Sequence, residues 1–276
     1  MIILQPAIFE CYLTEISHSE PKILGISLGL IIFQDILRTM KYCLLFILGF
    51  VFASSTNAQN LLGSWETITS SNEGSQVWHV LILTDAYQVH TQYDAETGKF
   101  MATNGGSWSI DGQTVTEIVE FDTHDARRVG SEVSFDIYFN GDKMGIVGDD
   151  LLWTRIDDGG PGALQGAWLM SGRYRNGEFS TRDTSRPRKT MKILSGTRFQ
   201  WIAYNTETKQ FMGTGGGTYT TVDGKYTEQI EFFSRDDTRV GASLEFDYSL
   251  NEEAWHHEGF SSKGDPMHEI WSVREN

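Results

Sequence analysis

Beyond residue 60, apolar and polar positions alternate in short runs, and no long stretch carries the three-and-four spacing of a helix. In the later half the alternation predicts strands at Met191–Leu194, Arg198–Tyr204, Phe211–Thr214, Thr218–Val222, Lys225–Phe233, Ser243–Leu250, Trp255–Phe260 and Glu269–Val273. A matching earlier series includes Trp78–Leu83, Tyr87–Tyr93, Gln113–Phe121 and Val133–Phe139. Asp111-Gly112, Asn140-Gly141 and Asp223-Gly224 predict hairpin turns of the type that takes positive φ at both positions. Such strands either close as small barrels or stack as a sandwich. The glycines Gly215–Gly217 and Gly105-Gly106 fall inside strand patterns, where glycine marks a bulge or a barrel corner, and so favour the barrel.

The chain writes this pattern twice. Tyr93–Asp136 and Tyr204–Asp247 align without a gap at a constant offset of 111, with 18 of 44 positions identical. Each unit opens on Gly-x-Trp (Gly63 to Trp65, Gly166 to Trp168) and closes on a Trp near an Arg (Trp153, Arg155; Trp271, Arg274). Two tandem all-β domains are expected, 60–156 and 164–276, joined by a Gly/Asp linker over 157–163. One composite barrel built from both copies is the alternative. Between Met170 and Arg188 the second copy adds a polar, arginine-rich loop with Arg173, Arg175, Arg182, Arg186 and Arg188.

Residues 1–59 read as a presegment. Met40-Lys41-Tyr42, the apolar run Cys43–Ala53 and the small polar residues Ser54–Ala58 form a secretory signal pattern, with translation expected to begin at Met40. The secreted or periplasmic location this predicts has a retained N-terminal membrane anchor as its rival. Cys11 and Cys43 both lie here, so the mature chain would carry no disulfide. The net charge of −15 argues against nucleic acid and anionic membrane surfaces as partners.

One charge sits on the wrong face. Tyr226, Glu228, Ile230 and Phe232 share the apolar side of their strand, and Val115, Glu117, Val119 and Phe121 share its earlier counterpart. A carboxylate among apolar neighbours costs several kcal/mol unless it is paired. Either Glu228 and Glu117 pin the barrels, through Arg239 and Arg128 or through backbone N–H groups, or they fix a ligand in an otherwise apolar pocket. Phe199 and Trp201 share a face beside that pocket, where the first copy has Gln88 and His90; the second barrel is therefore the expected holder of a site. Glu231 and Glu120 face outward and are expected to be solvated.

Catalytic signatures are missing from the sequence. Glu228 and Glu231 diverge, as do His256 and His257, and neither a Gly-x-Ser-x-Gly elbow nor a mature cysteine nucleophile occurs. Gly213–Gly217 has no helix after it and is no phosphate loop. No cofactor is expected; His257 and His268 with a distant carboxylate are the weak candidates for a metal.

The series Gly215-Gly216-Gly217-Thr218-Tyr219-Thr220, Asp223-Gly224, Tyr226-Thr227-Glu228, Arg239-Val240-Gly241 and Phe246-Asp247-Tyr248, with Trp255-His256-His257 and Glu269-Ile270-Trp271, resembles a lipocalin-like domain of unknown function in secreted or membrane-associated bacterial proteins. The first copy departs from it at Trp108 and Val115 and lacks the Trp-His-His segment. The resemblance implies calycin-type barrels and no established activity. The expected function is a non-catalytic binder of a small apolar or amphipathic molecule in the second barrel, oriented by Glu228, Tyr226 and Trp201. The alternatives are an interaction module with filled barrels and, further off, a hydrolase or metal-dependent enzyme.

Overall fold

The computed structural model describes residues 61–158, 162–251, 254–261 and 263–275; the presegment and linker residues 159–161 lie outside the described residues. β1 (Gly63–Ser70), β2 (Gln76–Leu83), β3 (Tyr87–Asp94), β4 (Phe100–Asp111), β5 (Thr114–Asp122), β6 (Glu132–Asn140), β7 (Lys143–Ile146) and β8 (Leu152–Asp157) form an antiparallel barrel, closed by β8 on β1. The second set is β9 (Gly166–Arg175), β10 (Glu178–Thr181), β11 (Arg188–Leu194), β12 (Arg198–Asn205), β13 (Gln210–Val222), β14 (Lys225–Phe233), β15 (Ser243–Asn251), β16 (Ala254–Phe260) and β17 (Pro266–Val273). All of these but β10 close a second barrel, with β17 returning to β9. Eight strands leave an interior that side chains fill or that holds one small ligand. Among the described residues no helix is long and apolar enough to cross a membrane.

Three local expectations change. The strands foreseen at Phe211–Thr214 and Thr218–Val222 are one strand, β13, that continues through its glycines. The loop foreseen at Met170–Arg188 is partly a hairpin, because β9 runs on to Arg175 and β10 folds back along it. Both turn residues have positive φ at Asp223-Gly224 (49° and 77°), whereas only the glycine does at Asp111-Gly112 and Asn140-Gly141.

The glycines set a bulge in each barrel. Gly217 faces Ile230 but Gly216 faces Phe232, so Glu231 is the extra residue; Gly106, Gly105, Val119 and Phe121 repeat this around Glu120. A Cβ at Gly217 would run into the carbonyl of Gln229, and one at Gly106 into that of Ile118. The bulge reverses the strand's alternation. Phe232 and Phe121 therefore leave the interior side occupied by Tyr226, Glu228 and Ile230, which corrects the expectation that all four share one face.

The two phenylalanines enter a core between the barrels. Val80, Ile82, Val89 and Tyr93 from the first barrel pack there with Met191, Ile193, Ile202 and Tyr204 from the second. Tyr93 stacks on Phe232 at 5.0 Å and Tyr204 meets Phe121 at 4.8 Å, while Phe100 stacks on Phe211 at 6.0 Å. Each contact maps onto its counterpart, or onto itself, under the offset of 111. The polar groups follow the same exchange. The Tyr93 hydroxyl donates to Glu231 at 2.8 Å and the Tyr204 hydroxyl donates to Glu120. The arginines break the exchange: both come from the second barrel, Arg198 pairing with Glu231 inside it and Arg274 with Glu120 across the interface. Glu231 and Glu120 are thus interface acids, not solvated ones, because the opposite barrel covers β5 and β14 at their bulges, while Ile118 and Gln229 on the same strands stay exposed. Both barrels belong to one compact unit, Ser54–Asn276.

Candidate functional site

The interior of the second barrel is aromatic around a single buried ion pair. Glu228 of β14 accepts from the Lys192 ammonium at 2.7 Å, and both side chains are almost wholly buried. Lys192 lies in β11 between Met191 and Ile193; those two point into the inter-barrel core, so the alternation turns Lys192 inward. Its Nζ stands 4.9 Å from the ring centres of Tyr226 and Trp255 and 5.3 Å from that of Trp271. At these distances the ring faces offset part of the desolvation of the cation. Lys192 therefore takes the place that the sequence reading gave to Arg239, which pairs with Asp236 beside a short 3-10 turn.

A cavity of about 270 Å³ opens beside this pair, walled by Trp201, Ile230, Phe233, Leu244, Phe246 and Met267, with Glu228, Lys192, His257 and Glu269 as its charged or titratable groups. His257 is buried, with its Nδ1 turned toward a Glu269 carboxylate oxygen. The Tyr226 hydroxyl and the indole N–H groups of Trp255 and Trp271 are buried alongside it. Burial, with Lys192 nearby, pushes the His257 imidazole down to about 4. Burial would raise the Glu269 carboxyl, but His257, at 3.7 Å, and Lys192 hold it below its ordinary value.

The first barrel answers the same problem with a neutral partner. Gln88 donates to Glu117 at 2.5 Å, in a cavity of about 170 Å³. Burial raises the Glu117 carboxyl, opposed by Arg128 and Gln88. Arg128 itself pairs with Asp122 at 2.6 Å, so the direct Glu117–Arg128 pair is replaced by Gln88. His90 lines this cavity, stacked on His79, and burial pushes its pKa down to about 3.

Of the residues expected at a site, Glu228 and Trp201 line the second cavity, and Tyr226 touches its ion pair. Phe199 is packed in the core beside them, Glu117 lines the first cavity, and Arg239 and Arg128 sit on the 3-10 turns outside. The metal pair His257 and His268 does not converge: His257 points inward, whereas His268 stacks on Tyr174 at 4.3 Å, next to His256 and Glu258. Adjacent positions on a paired strand take opposite faces, so β16 and β17 group His256, Glu258 and His268 instead. Sequence reasoning missed Lys192, Trp255, Trp271 and Glu269. The available signal was a lysine inside the otherwise apolar run Met191–Leu194. Comparison with curated proteins gives no match. Residues 163–274, which contain every strand from β9 to β17, match the family described as a domain of unknown function, DUF4488.

Proposed function

We propose that this is an exported, non-catalytic protein made of two lipocalin-like barrels that arose by duplication, and that the second barrel binds a small apolar or amphipathic molecule in its interior. The observation that carries this reading is the cavity of about 270 Å³ inside the second barrel, with an apolar and aromatic wall on which Lys192, Glu228, His257 and Glu269 converge. An apolar wall with a few convergent polar groups is the usual make-up of a ligand pocket.

The direct test is titration with a neutral fluorescent apolar probe, Nile red, followed by native mass spectrometry for stoichiometry. One probe per chain is expected for the wild type, with binding lost in Leu244→Trp, which fills the cavity wall. Circular dichroism and a thermal melt establish that the variant is folded. Absence of binding by the wild type, or undiminished binding by a folded Leu244→Trp, defeats the proposal.

A further inference from the structure

The arginine-rich insertion gives the second barrel something the first lacks. Arg173 of β9, Arg182 and Arg186 of the segment after β10, and Arg188 of β11 line a second cavity of about 490 Å³. Asp183 is the one acid on its wall among the described residues, and it is already paired with Arg186 at 3.3 Å. Arg173, Arg182 and Arg188 form no ion pair among the described residues. Three guanidinium groups with no direct ion pair, on a chain of net charge −15, are a local arrangement and not the sign of the whole molecule, although Glu269 acts on Arg182 from a distance. Arg182 is half-buried, and its own burial, with Arg188 and Arg173 beside it, depresses its pKa. An anion placed among them would relieve that repulsion.

This cationic cavity adjoins the apolar one. The Arg182 Nη1 donates to the Thr190 hydroxyl at 2.8 Å, and Thr190 lines the inner cavity. Met170, on the wall of the arginine cavity, is the cross-strand partner of Trp271, on the wall of the inner one. Arg173 is likewise opposite Glu269, which faces the inner cavity. A molecule with a charged end and an apolar body would span both.

We infer that the ligand of the second barrel is a single-headed anionic amphiphile, its carboxylate, sulfonate or phosphate head held by Arg173, Arg182 and Arg188 and its apolar body in the interior beside Lys192 and Glu228. This rests on the lumen-binding reading and gives it a ligand class. The guanidinium fork suits such heads, since it presents paired N–H donors to two oxygens of one anion. The first barrel makes no such offer, because its cavity is lined by no arginine or lysine among the described residues.

The test compares decanoate with decanol, equal in chain length and different in charge, by displacement of Nile red and by calorimetry at low salt. Inorganic phosphate is run as a head without a tail. Decanoate is expected to bind at least about tenfold more tightly than decanol, the worth of one charged hydrogen bond. The advantage should vanish in Arg173→Gln/Arg188→Gln while decanol affinity stays unchanged. Arg182→Gln serves as a second variant should the double one fold poorly. Equal binding of decanoate and decanol overturns the inference and leaves the lumen reading standing. Phosphate binding as tight as decanoate would reveal an anion site without an amphiphile, and also overturns it. Failure of all three to bind removes the lumen reading itself.

Discussion

The two barrels keep the same buried glutamate and satisfy it from different strands. In the first, Gln88 of β3 reaches Glu117, and the β2 position that matches Lys192 is Leu81. In the second, Lys192 of β11 reaches Glu228, and the β12 position that matches Gln88 is Phe199. The swap is reciprocal: an amide and an aliphatic chain on one side, an aromatic ring and an ammonium on the other. An inward carboxylate is thus compatible with this barrel whenever one neighbouring strand supplies a donor. What differs is the electrostatic consequence. The first interior holds one acid with a raised pKa; the second holds a compensated ion pair inside an aromatic shell.

That difference predicts the largest effect. Glu228→Gln leaves the Lys192 ammonium unpaired among rings and should cost on the order of 3–5 kcal/mol in urea unfolding. Lys192→Met combined with Glu228→Gln should recover most of that loss, because removing both charges leaves neither stranded. A double variant as unstable as Glu228→Gln alone would show that the pair is not the source of the cost.

The next effect comes from a buried histidine in each barrel, at positions that do not correspond. Burial holds His257 at about 4 against an ordinary 6.5. Once unfolded, the imidazole takes a proton below pH 6.5, while the buried one waits until about 4, so acidification through this window favours the unfolded chain. The contribution is fully present above pH 6.5 and falls away by up to ~3 kcal/mol as pH drops to 4. In the first barrel β7 places Ile146 where β16 places His257, since Ile146 pairs with Ile137 as His257 pairs with Tyr248. His257→Phe should therefore flatten the slope and leave the part due to His90, whose pKa is about 3. An unchanged slope would assign the acid sensitivity elsewhere.

Between the barrels the comparison turns into near-symmetry. Tyr93→Phe and Tyr204→Phe each delete a hydroxyl that donates to a carboxylate in the opposite barrel. Each should cost roughly 1.5–3 kcal/mol, the worth of a hydrogen bond to a charged group. Similar losses would support a two-fold-like interface. A loss confined to one tyrosine would show that the interface is symmetric in shape but not in energy.

Alternation and turn residues made the barrel class legible in the sequence, and parity correctly turned Glu228 and Glu117 inward. Parity failed at Phe232 and Phe121 because the bulge at Gly216 and Gly217 inserts a residue that no count along one strand reveals. The partner of Glu228 was out of reach for a different reason. Lys192 lies 36 residues away on a strand that does not neighbour β14, and the two meet only when the barrel closes. The outward glutamates were misread for a third: β5 and β14 are half-exposed strands, and only the stretch around each bulge meets the second barrel. The run Met191–Leu194, apolar except for Lys192, carried a trace of that docking, since Met191 and Ile193 on one side and Leu194 on the other are all buried.

The smallest predicted change sharpens the opening contrast most. Glu117 has a raised pKa, so its ionised form is less stable inside the barrel than in the unfolded chain. Above the ordinary carboxylate range that ionisation works against folding, and protonation as pH falls removes the penalty. Glu117→Gln keeps the shape and discards the charge, while the facing Gln88 amide can turn to offer donor or acceptor. The stability change at neutral pH should stay within about 1 kcal/mol, and its sign should be neutral or favourable. The same substitution at Glu228 has no such escape: the amide oxygen can still accept from Lys192, but the buried ammonium loses its countercharge. If Glu117→Gln proved as damaging as Glu228→Gln, the two interiors would be held by one kind of interaction after all, with Arg128 acting on Glu117 more strongly than its pairing with Asp122 implies.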